Sequence, residues 1–159
     1  MTTKCGIGYD AHRLVAGRKL ILGGVEILHT RGLEGHSDAD VLSHAIADAL
    51  LGSIGEGDIG HHFPNTDETI RGISSIAILE RVLELLSDRN ARVVNVDATL
   101  IAEAPKIAPH IPAMRERLAN ALRLPLNCIS LKATTNEGLG ALGRSEGMAA
   151  MAVATVEQA

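Results

Sequence analysis

Asp10 and His12 stand two apart at the end of a Gly-rich apolar run, Cys5-Gly6-Ile7-Gly8-Tyr9-Asp10, and His44 lies further along in a helical stretch. Residues two apart on an extended chain share a face. Two imidazoles and one carboxylate that meet leave one position of a tetrahedral divalent metal open, which is the stoichiometry of a catalytic zinc site. Far downstream, Pro105-Lys106 and Thr134-Thr135-Asn136-Glu137 offer groups suited to phosphate. A metal together with phosphate ligands points to chemistry on a phosphorylated small molecule.

Asp-x-His alone is a weak pattern, because most histidines are simply hydrogen-bonded. Three features favour ligation. Gly6 and Gly8 permit close backbone approach. His44 falls on the polar side of its helix with Asp40 and Asp48, pointing away from the core. Asp48, one turn on, is placed to accept the second ring N–H of His44 and fix its tautomer.

Ser37 reads as the cap of that helix, with Asp40 as the acid of a capping box. The free N–H groups of a helix start, with His36 and the Ser37 hydroxyl, would suit an anion. After the strand that ends near Lys132, two threonines and Glu137 could hold a phosphate and a hard cation such as Mg²⁺, and Arg144 is shaped to grip a phosphate at two points. Taken singly, these segments also read as solvated turns. His61 and His62 point apart and read as loop residues near the ligand, not as ligands.

The elements that must position these groups follow from periodicity. Residues 4–10 read as a strand. Lys19–Leu22 and Val25–Leu28 read as a hairpin about Gly23-Gly24. A helix opens at Ser37, buries Val41, Leu42, Ala45, Ile46, Ala49 and Leu50, and stops near Gly52 and Gly55. Residues 53–68 read as a long Gly-rich binding loop. A helix over 73–88, a strand over 91–101, a helix from Pro109 to Leu122, and strands over Cys128–Ala133 and Gly147–Val156 complete the order. This is an α+β pattern: a four- or five-stranded mixed sheet with helices on one face, in a single domain over residues 1–159. The last strand is apolar at nearly every position, which implies burial on both faces, against another subunit.

The bulk numbers narrow the class. The chain has 159 residues, 46% of them hydrophobic, which is enough for a real core. Tyr9 and Phe63 are its only aromatic rings besides histidine, so the core must be aliphatic and base stacking on nucleic acid is excluded. The net charge of −4 argues the same way. No stretch is long enough to span a membrane. Met1-Thr2-Thr3 runs straight into the first strand and leaves no room for a leader, so a cytoplasmic location is expected. Cys5 and Cys128 lie in apolar surroundings and are expected as buried free thiols.

Taken together, several segments resemble the 2-C-methyl-D-erythritol 2,4-cyclodiphosphate synthase family. They are Gly8-Tyr9-Asp10-Ala11-His12, the run from His36 to Ala45, Gly57-Asp58-Ile59-Gly60, Phe63-Pro64-Asn65-Thr66-Asp67, Ala104-Pro105-Lys106, Lys132 to Glu137, and Gly143-Arg144-Ser145-Glu146-Gly147. The likeness runs nearly end to end and in order.

The resemblance implies a homotrimer with active sites between subunits, in the non-mevalonate route to isoprenoids. It implies that 4-diphosphocytidyl-2-C-methyl-D-erythritol 2-phosphate closes to the cyclic 2,4-diphosphate with loss of CMP. By family motif, Asp10, His12 and His44 would bind Zn²⁺ or a similar cation, and Glu137 would reach Mg²⁺ or Mn²⁺. His36 and Thr135 would stabilise the transition state. Ser37, Asp58, Ile59, Gly60, Phe63, Pro64, Asn65, Thr66 and Asp67 would hold the erythritol phosphate side. Ala102, Glu103, Ala104, Pro105, Lys106, Ile107, Ala108, Thr134 and Asn136 would hold the cytidine diphosphate, with Ala141 and Arg144 nearby. Two positions depart from the pattern: Asn65 stands where Asp is frequent, and Ala141 where an aromatic ring is frequent. The rival reading is a zinc-dependent phosphoester hydrolase using the same three ligands with water in the fourth position; a non-catalytic nucleotide-binding module is a third.

Overall fold

Side chains alternate along β1 (Thr2–Ala16), so that Gly6, Gly8, Asp10 and His12 face one side and Cys5, Ile7, Tyr9 and Ala11 the other. The strand runs well past the expected residues 4–10 and so carries Asp10 and His12 on one continuous support. The computed structural model describes residues 1–159. Next come β2 (Leu20–Leu22) and β3 (Val25–Ile27), the expected hairpin. Gly23 and Gly24 take φ of 56° and 73°, the left-handed pair that a primed two-residue turn requires. β4 (Arg31–Leu33) then pairs antiparallel with the end of β1.

α1 (Val41–Ser53) starts later than expected, and its N-cap is Asp40 rather than Ser37. The Asp40 carboxylate accepts four hydrogen bonds: from the N–H groups of Gly23, Gly24 and Ser43, and from the Ser43 hydroxyl, at 2.7–3.0 Å. One side chain therefore caps the helix and fastens the hairpin to it. Burial pushes its carboxyl above the ordinary range, against those hydrogen bonds. The helix is buried without a break from Val41 to Ala47, because β1 and β7 lie against one side and α3 against another. His44 is therefore buried too, outside the hydrophobic core cluster.

The expected loop over 53–68 contains a short helix, α2 (Ile59–His62), capped by Asp58, and is followed by a 3₁₀ turn at Glu68–Ile70. α3 (Ser75–Asp88) is capped by Ser74. β5 (Ala91–Ile101) matches its expected bounds. A 3₁₀ turn at Ala108–His110 leads into α4 (Ile111–Leu122). β6 (Ile129–Thr134), α5 (Gly140–Gly143) and β7 (Gly147–Gln158) follow.

The main sheet has five strands in the order β4-β1-β7-β5-β6; β5 and β6 are parallel and the other pairs antiparallel. The fold is thus α+β with a five-stranded mixed sheet. Its core is aliphatic, with Leu, Ile, Val and Ala joined by Met114 and Met148; Phe63 only packs against its edge. Across β1 and β7, Ile7 lies opposite Val153 and Tyr9 opposite Met151. These four stand on the outer sheet face, 45–69% exposed. Within one chain β7 is therefore covered on a single face only, not on both. Cys5 shares that outer face and is exposed, and Cys128 is half-buried, so the expectation of two buried thiols fails; both are free.

Candidate metal centre and its cavity

Two glycines bring the metal ligands together. A Cβ at Gly6 would stand 1.9 Å from the Ala49 carbonyl oxygen, and one at Gly8 would stand 1.9 Å from that of Ala45. Only glycine lets β1 lie this close to α1. The next inward residues of β1, Asp10 and His12, then reach His44 on α1. His12 Nε2 is 2.7 Å from Asp10 Oδ2 and 3.3 Å from His44 Nδ1, and His44 Nδ1 is 3.1 Å from the same carboxylate oxygen. One ligand atom from each residue lies within 4.8 Å of the others, so the three form a group able to hold a divalent cation.

The outward nitrogens are already committed. His12 Nδ1 donates to the Glu34 carbonyl at 2.7 Å, which leaves Nε2 for the centre. Gly35 makes room for this: a Cβ there would stand 3.2 Å from the His12 ring. His44 Nε2 lies 3.0 Å from Ser37 Oγ and 2.8 Å from Ser75 Oγ. Asp48 does not take this role as expected; its carboxylate accepts the Ile59 N–H at 2.8 Å and ties α2 to α1. This donor set, one carboxylate oxygen and two imidazole nitrogens with their rings fixed from behind, fits a borderline divalent ion such as zinc.

Electrostatics agree with the geometry. Burial opposes a charge on Asp10, yet hydrogen bonds from His12 and His44 prevail and bring its carboxyl down to about 2. Burial also opposes a charge on His12, and the Asp10 hydrogen bond outweighs it, raising His12 above its ordinary value. Asp10 is thus a fixed negative charge between two imidazoles.

The triad forms one wall of a cavity of about 460 Å³. His36, Ser37, Ile59, Gly60, Phe63, Pro64, Asn65 and Thr66 line the rest with Ile70, Ile73 and Ile78. His36 is oriented by its Nε2 contact to the Asp67 carbonyl at 2.9 Å. Asp67 itself accepts from the Thr69 hydroxyl and N–H, which hold its carboxyl below the ordinary range. Asp58 caps α2 through the His61 N–H. Because α1 begins at Val41, His36 and Ser37 do not sit on free helix N–H groups. Ser37 Oγ instead accepts the Ala39 N–H at 3.0 Å.

The remaining candidate residues gather elsewhere. Glu103 accepts the N–H groups of Asn136 and Gly138 at 3.2 and 2.7 Å, joining the segment after β5 to the turn after β6. Lys106, Thr135 and Glu137 are exposed. Arg144 pairs with Glu146 at 2.6 Å, and Ala141 is exposed on α5. None of these residues lines the metal-side cavity. The candidate residues of one chain thus fall into two separate groups.

Three contributors escaped the sequence reading. Arg18 donates to the Gly35 and Ser37 carbonyls at 3.0 and 2.9 Å and holds the loop that carries His36. Asp38 and Ser75 meet behind His44. Nothing in their spacing links residues 38 and 75; only the packing of α3 on α1 does.

A family model described as the YgbB family matches residues 3–157. A curated relative from Geotalea daltonii, named 2-C-methyl-D-erythritol 2,4-cyclodiphosphate synthase, is 57% identical over 98% of this chain and 91% of its own. One of the same name from Gloeobacter violaceus is 58% identical over 98% of this chain and 95% of its own. Among solved structures, a 2C-methyl-D-erythritol-2,4-cyclodiphosphate synthase described as its CDP-bound form superimposes with a TM-score of 0.89. It is 38% identical, and the match covers 97% of this chain and 100% of that one. The bifunctional IspDF of Campylobacter jejuni gives a TM-score of 0.95 at 37% identity, over 99% of this chain but only 43% of that longer one.

Proposed function

This chain belongs to the YgbB family, and on that premise we propose how its residues perform the family's cyclisation. It is an enzyme, a 2,4-cyclodiphosphate synthase, that closes 4-diphosphocytidyl-2-C-methyl-D-erythritol 2-phosphate to the cyclic diphosphate and releases CMP. The observation that carries the assignment of roles is the convergence of Asp10, His12 and His44 in the wall of a cavity lined by His36 and the Ile59–Thr66 segment.

The reaction is an intramolecular phosphoryl transfer in which the 2-phosphate attacks the β-phosphorus of the diphosphate. Every participant is anionic, so charge repulsion is the main barrier. Asp10, His12 and His44 would hold zinc, and the exposed Glu137 carboxylate would reach Mg²⁺ or Mn²⁺; bound there, the cations would neutralise charge on the phosphates. His36 and the Thr135 hydroxyl stabilise the equatorial oxygens as charge builds there. Ser37 and residues 58–60 and 63–67 grip the erythritol phosphate. Residues 102–108, Thr134, Asn136 and Arg144 hold the cytidine diphosphate, with Ala141 nearby. No side chain needs to act as a nucleophile or strong base, because the attacking phosphate oxygen is already ionised. Folding the substrate into attack range supplies proximity, which reaches about 7–11 kcal/mol in well-oriented intramolecular reactions.

The two half-sites belong to neighbouring copies of a cytoplasmic homotrimer. Two observations support this: the open apolar face of Ile7, Tyr9, Met151 and Val153, and the absence of the nucleotide-side residues from the metal-side cavity. No helix is long and apolar enough to cross a membrane.

Incubation with the cytidyl substrate, followed by phosphorus NMR, tests the proposal. The expected products are CMP and a cyclic diphosphate. An uncyclised product carrying added water would instead establish the phosphoester hydrolase.

A further inference from the structure

We propose that Asp38 and Ser75 form a positioning relay that sets the ring tautomer of His44 for metal binding; the proposal rests on the reading of His44 as a ligand. The Ser75 hydroxyl hydrogen-bonds Asp38 Oδ1, and Ser75 Oγ lies 2.8 Å from His44 Nε2. A hydroxyl has one proton to give. The Asp38 carboxylate is anchored as an acceptor, taking the Ser75 N–H at 3.0 Å and the Asp40 N–H at 3.1 Å. The Ser75 proton therefore goes to Asp38, and the oxygen lone pair is turned toward His44. With a cation at the centre, Nε2 then carries the imidazole proton, and Nδ1, the atom that faces Asp10 and His12, offers its lone pair.

Ser37 cannot set this choice. Its Oγ is also near His44 Nε2 at 3.0 Å and accepts the Ala39 N–H, but no carboxylate claims its proton. Ser37 can serve either tautomer, whereas Ser75 with Asp38 behind it serves one. Ser75 is fully buried and His44 nearly so, so water does not compete for the relay. The negative group behind the serine also makes the imidazole a better donor to a cation, as outer carboxylates do for metal-bound histidines.

The test uses the full chain with zinc as the only ligand. Wild type, Ser75→Ala, Asp38→Asn and His44→Ala are titrated with zinc against a chromophoric chelator, and their metal-free melting temperatures are measured. Ser75→Ala and Asp38→Asn should bind zinc roughly 10–100-fold more weakly, with melting close to wild type for Ser75→Ala. Histidine ¹⁵N NMR of the zinc-loaded wild type should show His44 ligated through Nδ1 and protonated at Nε2. The Nε2–H signal should move in Ser75→Ala, a change that general loosening of the fold does not produce. Wild-type zinc affinity in Ser75→Ala, or a His44 ligated through Nε2, overturns the relay. Wild-type affinity in His44→Ala overturns the ligand reading itself, so the two failures are distinct. The wild-type spectrum decides even if a variant does not fold.

Discussion

Gly8 lies so close beneath Ala45 that a Cβ at position 8 would stand 1.9 Å from the Ala45 carbonyl oxygen. Asp10 is two residues from one partner and His44 one residue from the other, so this contact sets the distance between the two halves of the metal centre. Gly8→Ala must push α1 away from β1, an overpacking that costs about 1–3 kcal/mol. The expected outcome is a lower melting temperature together with weaker zinc binding, read by calorimetry and competitive titration. Unchanged zinc affinity would show that the strand–helix spacing does not set the centre.

The linked titrations of Asp10 and His12 give a pH signature. Asp10 is lowered from 3.8 to about 2, so its contribution to stability is present above 3.8 and lost as pH falls through about 2. His12 is raised above 6.5, so its contribution is complete below 6.5 and lost as pH rises through the raised value. A metal ion needs neutral His12 and competes with its proton. Zinc affinity should therefore climb with pH through the raised His12 value. The melting-temperature gap between zinc-loaded and metal-free protein should widen from about pH 6 to about pH 8. A gap that narrows over this range contradicts the linkage.

Glu103 holds the Asn136 and Gly138 N–H groups and so fixes the turn that carries Thr135 and Glu137. Glu103→Gln keeps the shape but sets an NH₂ against one of those donors, at a cost of about 1–3 kcal/mol. The KM for the cytidyl substrate should rise about tenfold with zinc content unchanged. Steady-state kinetics and metal analysis of the same preparation check both halves of the statement.

The proposed sharing of sites between subunits can be tested by complementation. His44→Ala should lose zinc and nearly all turnover, and Thr135→Ala should lose about 10²–10³-fold in turnover with CMP affinity kept. Mixed trimers place an intact metal half against an intact nucleotide half at one junction, so unfolding the two variants together and refolding an equal mixture should recover about a quarter of wild-type turnover. Recovery no greater than the sum of the parents places both halves in one chain.

The parts of the fold visible in the sequence were those with a local signature. The glycine pair gave the hairpin, and period-two patterning gave β5 to the residue. The period of 3.6 gave the buried stripe of α1. The start of α1 is not legible in the sequence because Ser37 and Asp40 are both good caps, and only the hairpin glycines above Asp40 decide between them. The burial of His44 is not legible, because polarity along one helix does not reveal what packs beside it. The approach of Asp10, His12 and His44 was legible because strand spacing and the two glycines already imply it. The support from Asp38, Ser75 and Arg18 was not, since it depends on contacts made only when distant segments close.

Tyr9 is the only tyrosine of a chain without tryptophan, and its ring stands on the open sheet face. The near-ultraviolet emission of the folded protein therefore comes from a single fluorophore on the proposed subunit-facing surface. Dilution can be followed through that one ring, without a label, as subunits separate. The same scarcity of chromophores leaves the cytosine absorption band almost unobscured, so nucleotide occupancy and assembly can be read from one cuvette as separate optical signals.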